Sequence, residues 1–335
     1  MRDLREFRAG KPAFYPDQAV YAAYACAAFG LCFEDLDGGT GLVFRVSSKK
    51  RSMNFGAGRC SWYPQNDSTA ATLASDKYFT NRIWEDAGVP NLGGDYFFLS
   101  DRHRAHRPGG HERQDAFAYF EKLNSAAFIK PLAGSRGDFA QAVRGKAALE
   151  RYLTEVCLHY DAVLVQPIVE GSEYRIFLLD GEMVFCVRKF PPSLTGDGLR
   201  TRRDLLMAHI ATLQARGLSA LAATALDESA LDAVPASGER WDIPGRMNLS
   251  AGGTMAFETP RARGAVAMAR KAARMLGLRV AAVDLFTDIG ADADAIRIIE
   301  INSNPSIRFL EDSGRSDLIL KIWRHTFSAM GLTDV

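Results

Sequence analysis

A chain of 335 residues, 47% of them hydrophobic, is long enough for two or three domains with substantial cores. Its 41 basic and 40 acidic side chains leave a net charge of +1, so no global field draws it to nucleic acid or to an anionic membrane. No apolar span approaches the roughly 18 residues that a transmembrane helix requires, and the opening MRDLREFRAGK carries charges where a signal peptide needs its apolar core. The five cysteines (Cys26, Cys32, Cys60, Cys157 and Cys186) include no C-x-x-C, which suits reduced, mostly buried thiols. The expectation is a cytoplasmic enzyme or binding protein with no membrane and no nucleic-acid partner, and a homodimer is compatible with it.

In chain order, residues 1 to about 75 read as a small α/β unit, with a helical stretch over Pro16–Phe29 and a strand over Gly41–Val46. No G-x-G-x-x-G follows a strand there, so the dinucleotide fingerprint is missing. The segment SDKYFTNRIWEDAG is amphipathic and stops at Gly88 with Pro90 beyond, which predicts a helix over Ser75–Gly88. Residues 101–114 are basic and broken by Gly and Pro, a surface loop in which arginines flank His103, His106 and His111 and speak against metal ligation. Strands are expected at Ala126–Ile129 and Ala140–Val143, on either side of the turn PLAGSRGD, and a helix at Ala147–Leu158. Three more strands follow at Ala162–Val169, Tyr174–Leu179 and Glu182–Val187, the last two joined at Asp180-Gly181, a strong hairpin turn. Helices are expected over Asp204–Arg216, Ala262–Gly277 and Ser316–Met330, with an Ala-rich stretch at Leu218–Ser237. Mixed strands and helices with an antiparallel section predict an α+β (mixed α/β) fold.

Four constellations carry chemistry. In VAAVDLF and IRIIEINSNP, Asp284 lies in one apolar run, and Glu300 and Asn302 lie two apart in the next, hence on one strand face, with Ile299 and Ile301 on the other. Two carboxylates and an amide oxygen make a hard-oxygen site of the kind that suits Mg²⁺ with bound phosphates; an edge strand with a solvated polar face is the plainer alternative. After Lys130-Pro131, the turn Gly134-Ser135-Arg136-Gly137 can converge backbone N–H groups on an anion, although a glycine-containing hairpin with a surface lysine explains the same residues. In VLVQPIVEGSEYR, the run Gln166-Pro167-Ile168-Val169 can offer backbone groups to an adenine edge, and Glu173 can accept ribose hydroxyls; an ordinary turn with a Glu173/Arg175 pair is the alternative. Arg188 and Lys189 leave the next strand as cations that meet either a phosphate or solvent. Finally MNLSAGGTM, with Asn248 and Gly252-Gly253, permits close backbone approach to a ligand or is a glycine-rich turn.

The ordered set ASDKYFTNRIWEDAGVP, FIKPLAGSRGDFAQAV, VLVQPIVEGSEYRIFLLDGEMVFCVRKFPPSLTGDG, NLSAGGT, VAAVDLF and IIEINSNPSI resembles the ATP-grasp ligases, particularly the ATP-grasp module of cyanophycin synthetases and bifunctional glutathione synthetases. It covers about residues 65 to 310. The resemblance implies a small N-terminal domain over residues 1–75, a central lid over 76–166 and a C-terminal domain over 167–335 that carries the metal site. It implies ATP as the nucleotide and Mg²⁺, with Mn²⁺ as a substitute, as the ion. By the same resemblance Lys77 and Lys130 are phosphate-binding lysines, and Gly134, Ser135, Arg136 and Gly137 form a loop over the triphosphate. Gln166, Pro167, Ile168 and Val169 form the adenine hinge, with Gln standing where relatives often have Glu, and Glu173 is the ribose acid. Arg188 is the γ-phosphate cation, and Asp284, Glu300 and Asn302 are the metal ligands. Arg175 and the Asn248–Gly253 loop would hold the acyl-phosphate and the acceptor. Residues 1–65 match no motif of the family.

The resemblance implies an ATP-dependent carboxylate–amine ligase that joins a small-molecule carboxylate, an amino acid or small peptide, to an amine. Phosphoryl transfer needs alignment and charge neutralisation rather than a protein nucleophile, and the sequence shows no Ser–His or Cys–His arrangement that would supply one. A kinase acting on a hydroxyl and a non-catalytic nucleotide-binding module are the alternatives.

Overall fold

The computed structural model describes residues 3–56, 62–134, 137–215, 228–243 and 252–333. Its strands fall into four sheets. The first is an antiparallel meander of β1 (Cys32–Asp35), β2 (Val43–Ser47) and β3 (Ser52–Gly56). The second, in the order β4-β7-β5-β6, is made from β4 (Asp95–Phe98), β5 (Ala126–Pro131), β6 (Gln141–Arg144) and β7 (Ala162–Gln166). The third, in the order β12-β9-β8-β13-β14, contains β8 (Ser172–Leu179), β9 (Glu182–Phe190), β12 (Thr254–Phe257), β13 (Val280–Thr287) and β14 (Arg297–Asn302). A two-stranded ribbon of β10 (Ser193–Thr195) and β11 (Arg240–Asp242) stands between β9 and β12 in sequence. Every sheet pairing is antiparallel, in keeping with the expected α+β class.

Local chemistry sets the element ends. Helix Asp17–Phe29 begins after Pro16 and closes at Gly30, whose φ of 68° is a left-handed cap with its N–H on the Cys26 carbonyl. Asp76 accepts from the backbone N–H groups of Tyr78 and Phe79, which starts helix Lys77–Asp86 two residues after the expected position. The β8–β9 hairpin turns at Asp180 and Gly181, both with positive φ, as Asp-Gly predicts. β7 stops at Gln166, so Pro167, Ile168 and Val169 are irregular rather than the end of a strand: proline has no N–H to give the ladder.

The five-stranded sheet is covered on both faces. On one face, Ile176, Leu178, Val283, Leu285 and Ile298 pack against the alanines Ala265, Ala269, Ala272 and Ala273 of helix Ala265–Met275. Small side chains let that helix sit close, and the Trp84 indole donates to the Ala272 carbonyl at 3.2 Å. On the other face, Phe177, Phe185 and Val187 join a core that includes Phe44 and Phe55 from the first sheet and Trp323 and Phe327 from helix Ser316–Ala329. The C-terminal helix thus packs on the Asp17–Phe29 helix, so residues near both ends of the chain share one core. A third core, with Phe97, Ile129, Val163 and Val165, fills the space between the four-stranded sheet and helices Arg113–Lys122 and Lys146–Val156.

Candidate functional site

Strand register assembles the site. Asp284 on β13 lies opposite Arg175 of β8 on one side and Glu300 of β14 on the other, so three charged residues form a row across the sheet. Ala282 pairs with both Phe177 and Asn302, which puts Asn302 on the same face. The register shifts after the Asp284–Glu300 pair, where Leu285 already meets Ile298 and Ile299 is left without a partner. Ile298 and Ile301 therefore reach the core, and Ile299, expected on the face opposite Glu300 and Asn302, is half-buried at the bulge. Glu300 and Asn302 keep the shared face that their spacing predicted.

Polar contacts tie the row together. The Arg175 guanidinium donates to both Asp284 oxygens, from Nε at 2.7 Å and from a terminal nitrogen at 2.8 Å. Lys189 Nζ donates to Asp284 Oδ2 at 2.9 Å and also to Glu173. Asp284 and Lys189 are 1% and 3% exposed. Burial works against the Asp284 carboxylate, but Arg175 and Lys189 hold its pKa down to about 2. Burial likewise opposes charge on Lys189, and Asp284 and Glu173 outweigh it, raising the pKa. A carboxylate accepts about four hydrogen bonds, and among the described residues Asp284 accepts three, which leaves room for a cation.

The second sheet closes the site from above. Lys130 pairs with Leu164 and Phe128 with Gln166, so Lys130 and Gln166 share the face turned away from the Ile129–Val163 core. Lys130 Nζ reaches to 3.8 Å from Glu300 Oε2 across the gap between sheets. Lys130 is 5% exposed, and burial pushes its pKa down to about 8 despite the pull of Glu300. Burial also lowers the pKa of Lys77, whose ammonium donates to the Leu132 and Gly134 carbonyls at 3.3 and 3.1 Å and so anchors the start of the glycine turn. Burial disfavours the Glu300 carboxylate, yet Lys130 keeps its pKa below the usual range. Gln166 is fully buried, its Nε2 donating to the Gly93 carbonyl at 2.6 Å and its Oε1 without a hydrogen-bond partner among the described residues. That contact is possible because Gly94, at φ 102°, lies where an added Cβ would fall 2.5 Å from the Val165 carbonyl oxygen.

Register sets one of the expected site residues apart from the row. Arg188 pairs with Tyr174 and faces away from Asp284: it meets Glu258 at 3.3 Å and the Ser172 hydroxyl at 3.2 Å, on the opposite side of the sheet. Its neighbour Lys189 is the cation that reaches the acidic row. Adjacent strand residues point to opposite faces, and Lys189 has the parity of Val187, the partner of Arg175, a pairing that the structure supplies. Glu173, Arg175, Lys77, Lys130, Asp284, Glu300 and Asn302 are brought together, and Gly134 joins them through the Lys77 ammonium on its carbonyl. Ser135, Arg136 and Asn248 lie outside the described residues.

Four cations (Lys77, Lys130, Arg175, Lys189) thus face three carboxylates (Glu173, Asp284, Glu300). The Asn302 amide nitrogen is buried without a hydrogen-bond partner among the described residues, the kind of vacancy a polar ligand satisfies. Among the described residues no three His, Cys, Asp or Glu side chains gather as a metal cage. Asp284, Glu300 and the Asn302 oxygen would supply part of a shell that phosphate oxygens complete, which is how Mg²⁺ is usually held.

No family model matches the chain. It is 25% identical over 269 residues to the cyanophycin synthetase of Synechocystis sp., an alignment that covers 70% of this chain and 28% of that protein. It is 27% identical over 227 residues to the glutathione biosynthesis bifunctional protein GshAB of Enterococcus faecalis, covering 60% of this chain and 30% of the relative. The matched region is therefore less than a third of each relative's length. Among solved structures, a bifunctional glutathione synthetase from Pasteurella multocida superposes with a TM-score of 0.50 at 17% identity, over 92% of this chain and 44% of that one. A D-alanine–D-alanine ligase from Bacillus anthracis gives a TM-score of 0.51 at 14% identity, over 79% and 71%. The architecture is the ATP-grasp fold that the motifs implied.

Proposed function

We propose that this ATP-grasp chain is an ATP-dependent carboxylate–amine ligase that forms an amide or peptide bond through an acyl-phosphate and releases ADP and phosphate. One observation carries the reading: Lys130 and Glu300, from two separate sheets, meet at 3.8 Å over a buried row of opposite charges. A surplus of cations around a hard-oxygen set is the complement of a polyphosphate with a divalent ion.

Position and the resemblance together support the following roles. Lys130 and Lys77 hold phosphate oxygens, and the turn from Gly134 to Gly137 closes over them. The Gln166–Val169 segment reads the adenine edge and Glu173 the ribose. Asp284, Glu300 and Asn302 hold Mg²⁺, and Mn²⁺ substitutes at the same hard-oxygen ligands. When bound, the ion neutralises charge on the phosphates. Arg175 is a positioning residue, since two of its nitrogens are committed to Asp284. Lys189 replaces Arg188 as the cation turned toward the transferred phosphoryl group.

The chemistry suits such a site. A carboxylate is a poor electrophile, and an amine does not displace oxide from it. Phosphorylation of a carboxylate oxygen converts that oxygen into part of a good leaving group; amine attack then expels phosphate, and the amine gives up a proton. The protein's contribution is alignment and charge, supplied by residues that burial has already oriented. The test is ADP release that depends on both a carboxylate and an amine. With ¹⁸O in the substrate carboxylate, one label must appear in the released phosphate. ADP release that needs only a hydroxyl compound would favour a kinase, and AMP with pyrophosphate would exclude the acyl-phosphate.

A further inference from the structure

Three residues that no motif assigns, Gln18, Trp62 and Asn66, meet the end of β14, where the proposed ion ligands lie. The β13–β14 ladder closes at the Ala282–Asn302 pair, and counting on from it Asn304 would stand opposite Val280. The side-chain amide of Asn66 occupies that place instead. Its oxygen accepts from the Val280 N–H at 2.9 Å and its nitrogen donates to the Val280 carbonyl at 2.8 Å, the exchange of bonds that a strand partner makes. The same oxygen accepts from the Arg279 N–H at 2.9 Å, and the same nitrogen donates to the Ser303 carbonyl at 2.9 Å. These bonds use the whole capacity of an amide, and Asn66 is buried.

Asn66 is itself held in place. Its N–H donates to the Tyr63 carbonyl at 3.0 Å, and the next residue, Asp67, caps helix Ser68–Ser75 by accepting from the Ala70 N–H at 2.7 Å. The chain beyond Asn302, displaced from the ladder, is caught twice more. The Trp62 N–H donates to Asn304 Oδ1 at 3.2 Å, and Gln18 Nε2 donates to the Pro305 carbonyl at 3.2 Å. The Asn302 amide nitrogen has no such hold among the described residues. Its aim is therefore set by the backbone, through the Ala282 pairing and the Asn66–Ser303 contact.

We propose that Asn66 is a positioning residue of the ion site. It ends β14 at Asn302, fixes the strand exit through Ser303 and so aims the Asn302 side chain along the face shared with Glu300, while Gln18 and Trp62 steady Pro305 and Asn304. The inference rests on the reading of Asp284, Glu300 and Asn302 as the ligands of Mg²⁺. It gives the stretch that matches no family motif a part in the site, because Gln18 and Trp62 come from that stretch.

Asn66→Asp is the sharpest variant: it keeps the shape and both accepted bonds but sets an oxygen against the carbonyls of Val280 and Ser303. Mn²⁺ binding, followed by electron paramagnetic resonance of the free ion with a non-hydrolysable ATP analogue present, reads the ion site without turnover. In Asn66→Asp the Mn²⁺ affinity falls about tenfold or more, hydrogen exchange quickens across residues 300–307, and affinity for the analogue without a divalent ion is unchanged. A general lesion would lower both affinities together and overturn the proposal. Gln18→Met removes the donor to Pro305 and to the Tyr63 hydroxyl; it gives a smaller loss in the same direction and serves as the test if Asn66→Asp does not fold. Unchanged Mn²⁺ affinity in both variants overturns the inference and leaves the ion reading standing. If the unaltered chain binds no Mn²⁺, the ion reading falls instead; quickened exchange across residues 300–307 then keeps Asn66 as the residue that holds the strand exit, and unchanged exchange overturns that too.

Discussion

Lys130 and Glu300 stand 3.8 Å apart although 170 residues separate them, and each is held by a different sheet. Lys130 is the more buried partner, and burial has brought its pKa down to about 8. This pair is where the two sheets meet electrostatically, and its protonation is coupled to whatever anion enters between them.

A first prediction follows for nucleotide binding. Near pH 8 the ligand-free protein holds Lys130 partly neutral, while bound phosphate favours the ammonium and raises its pKa. Binding of a non-hydrolysable ATP analogue at that pH is therefore accompanied by proton uptake, and affinity falls as pH rises further. Calorimetry in two buffers of different ionisation enthalpy measures the uptake. Lys130→Met abolishes it; uptake of the same size in that variant would place the titrating group elsewhere.

The neighbours Arg188 and Lys189 are predicted to behave oppositely. Lys189→Met removes a charged donor from Asp284 and Glu173 on the site face and should lower turnover about 10²-fold or more. Arg188→Met breaks partly exposed contacts to Glu258 and Ser172 on the other face, and should leave turnover within about threefold while costing roughly 1 kcal/mol or less of stability. Steady-state kinetics on folded variants decide the matter, and a larger loss for Arg188→Met would restore that residue to the site.

Glu300→Gln keeps the shape of the side chain and removes one negative charge from the proposed ion shell. Turnover should fall on the order of 10²-fold or more, with a shift to higher Mg²⁺ requirement. Titration of activity against Mg²⁺ and Mn²⁺ is the measurement, and near-normal turnover at saturating metal would make Glu300 structural.

Much of this site was legible because its residues sit at fixed offsets on apolar strands. Glu300 and Asn302 are two apart, and two is the strand period. Asp180-Gly181 names its own hairpin, and the long helices announce themselves by apolar spacing or by Gly caps. What stayed hidden depends on pairing between distant segments. Whether Arg188 or Lys189 enters the site is fixed by register against Tyr174 and Arg175, which no local pattern encodes. The bulge that leaves Ile299 without a strand partner is a property of two strands together, so no spacing within β14 announces it. The short strand Asp95–Phe98 has no clear alternation of burial, Cys32–Asp35 alternates but has no fully buried residue, and helix Ser68–Ser75 is built from small residues that carry little periodic signal. The packing of Trp323 and Phe327 against the first sheet links both ends of the chain, a contact between ends that sequence spacing cannot announce.

The acidic row sets a last prediction, on stability. Asp284 is depressed to about 2 from the usual carboxylate value near 4. A carboxyl group held low in the folded state stabilises the fold fully above about pH 4 and loses that contribution as pH falls toward about 2. Asp284→Asn leaves Arg175 and Lys189 buried without their shared counter-charge, so at neutral pH the variant should be less stable by about 3–5 kcal/mol. On acidification the unaltered protein protonates the same position and forfeits the same attraction, so the two stability curves should converge between about pH 4 and pH 2. Urea unfolding across that range gives the comparison. Curves that stay parallel to the lowest pH would mean that Asp284 does not titrate there and that the buried cations are compensated by another acid.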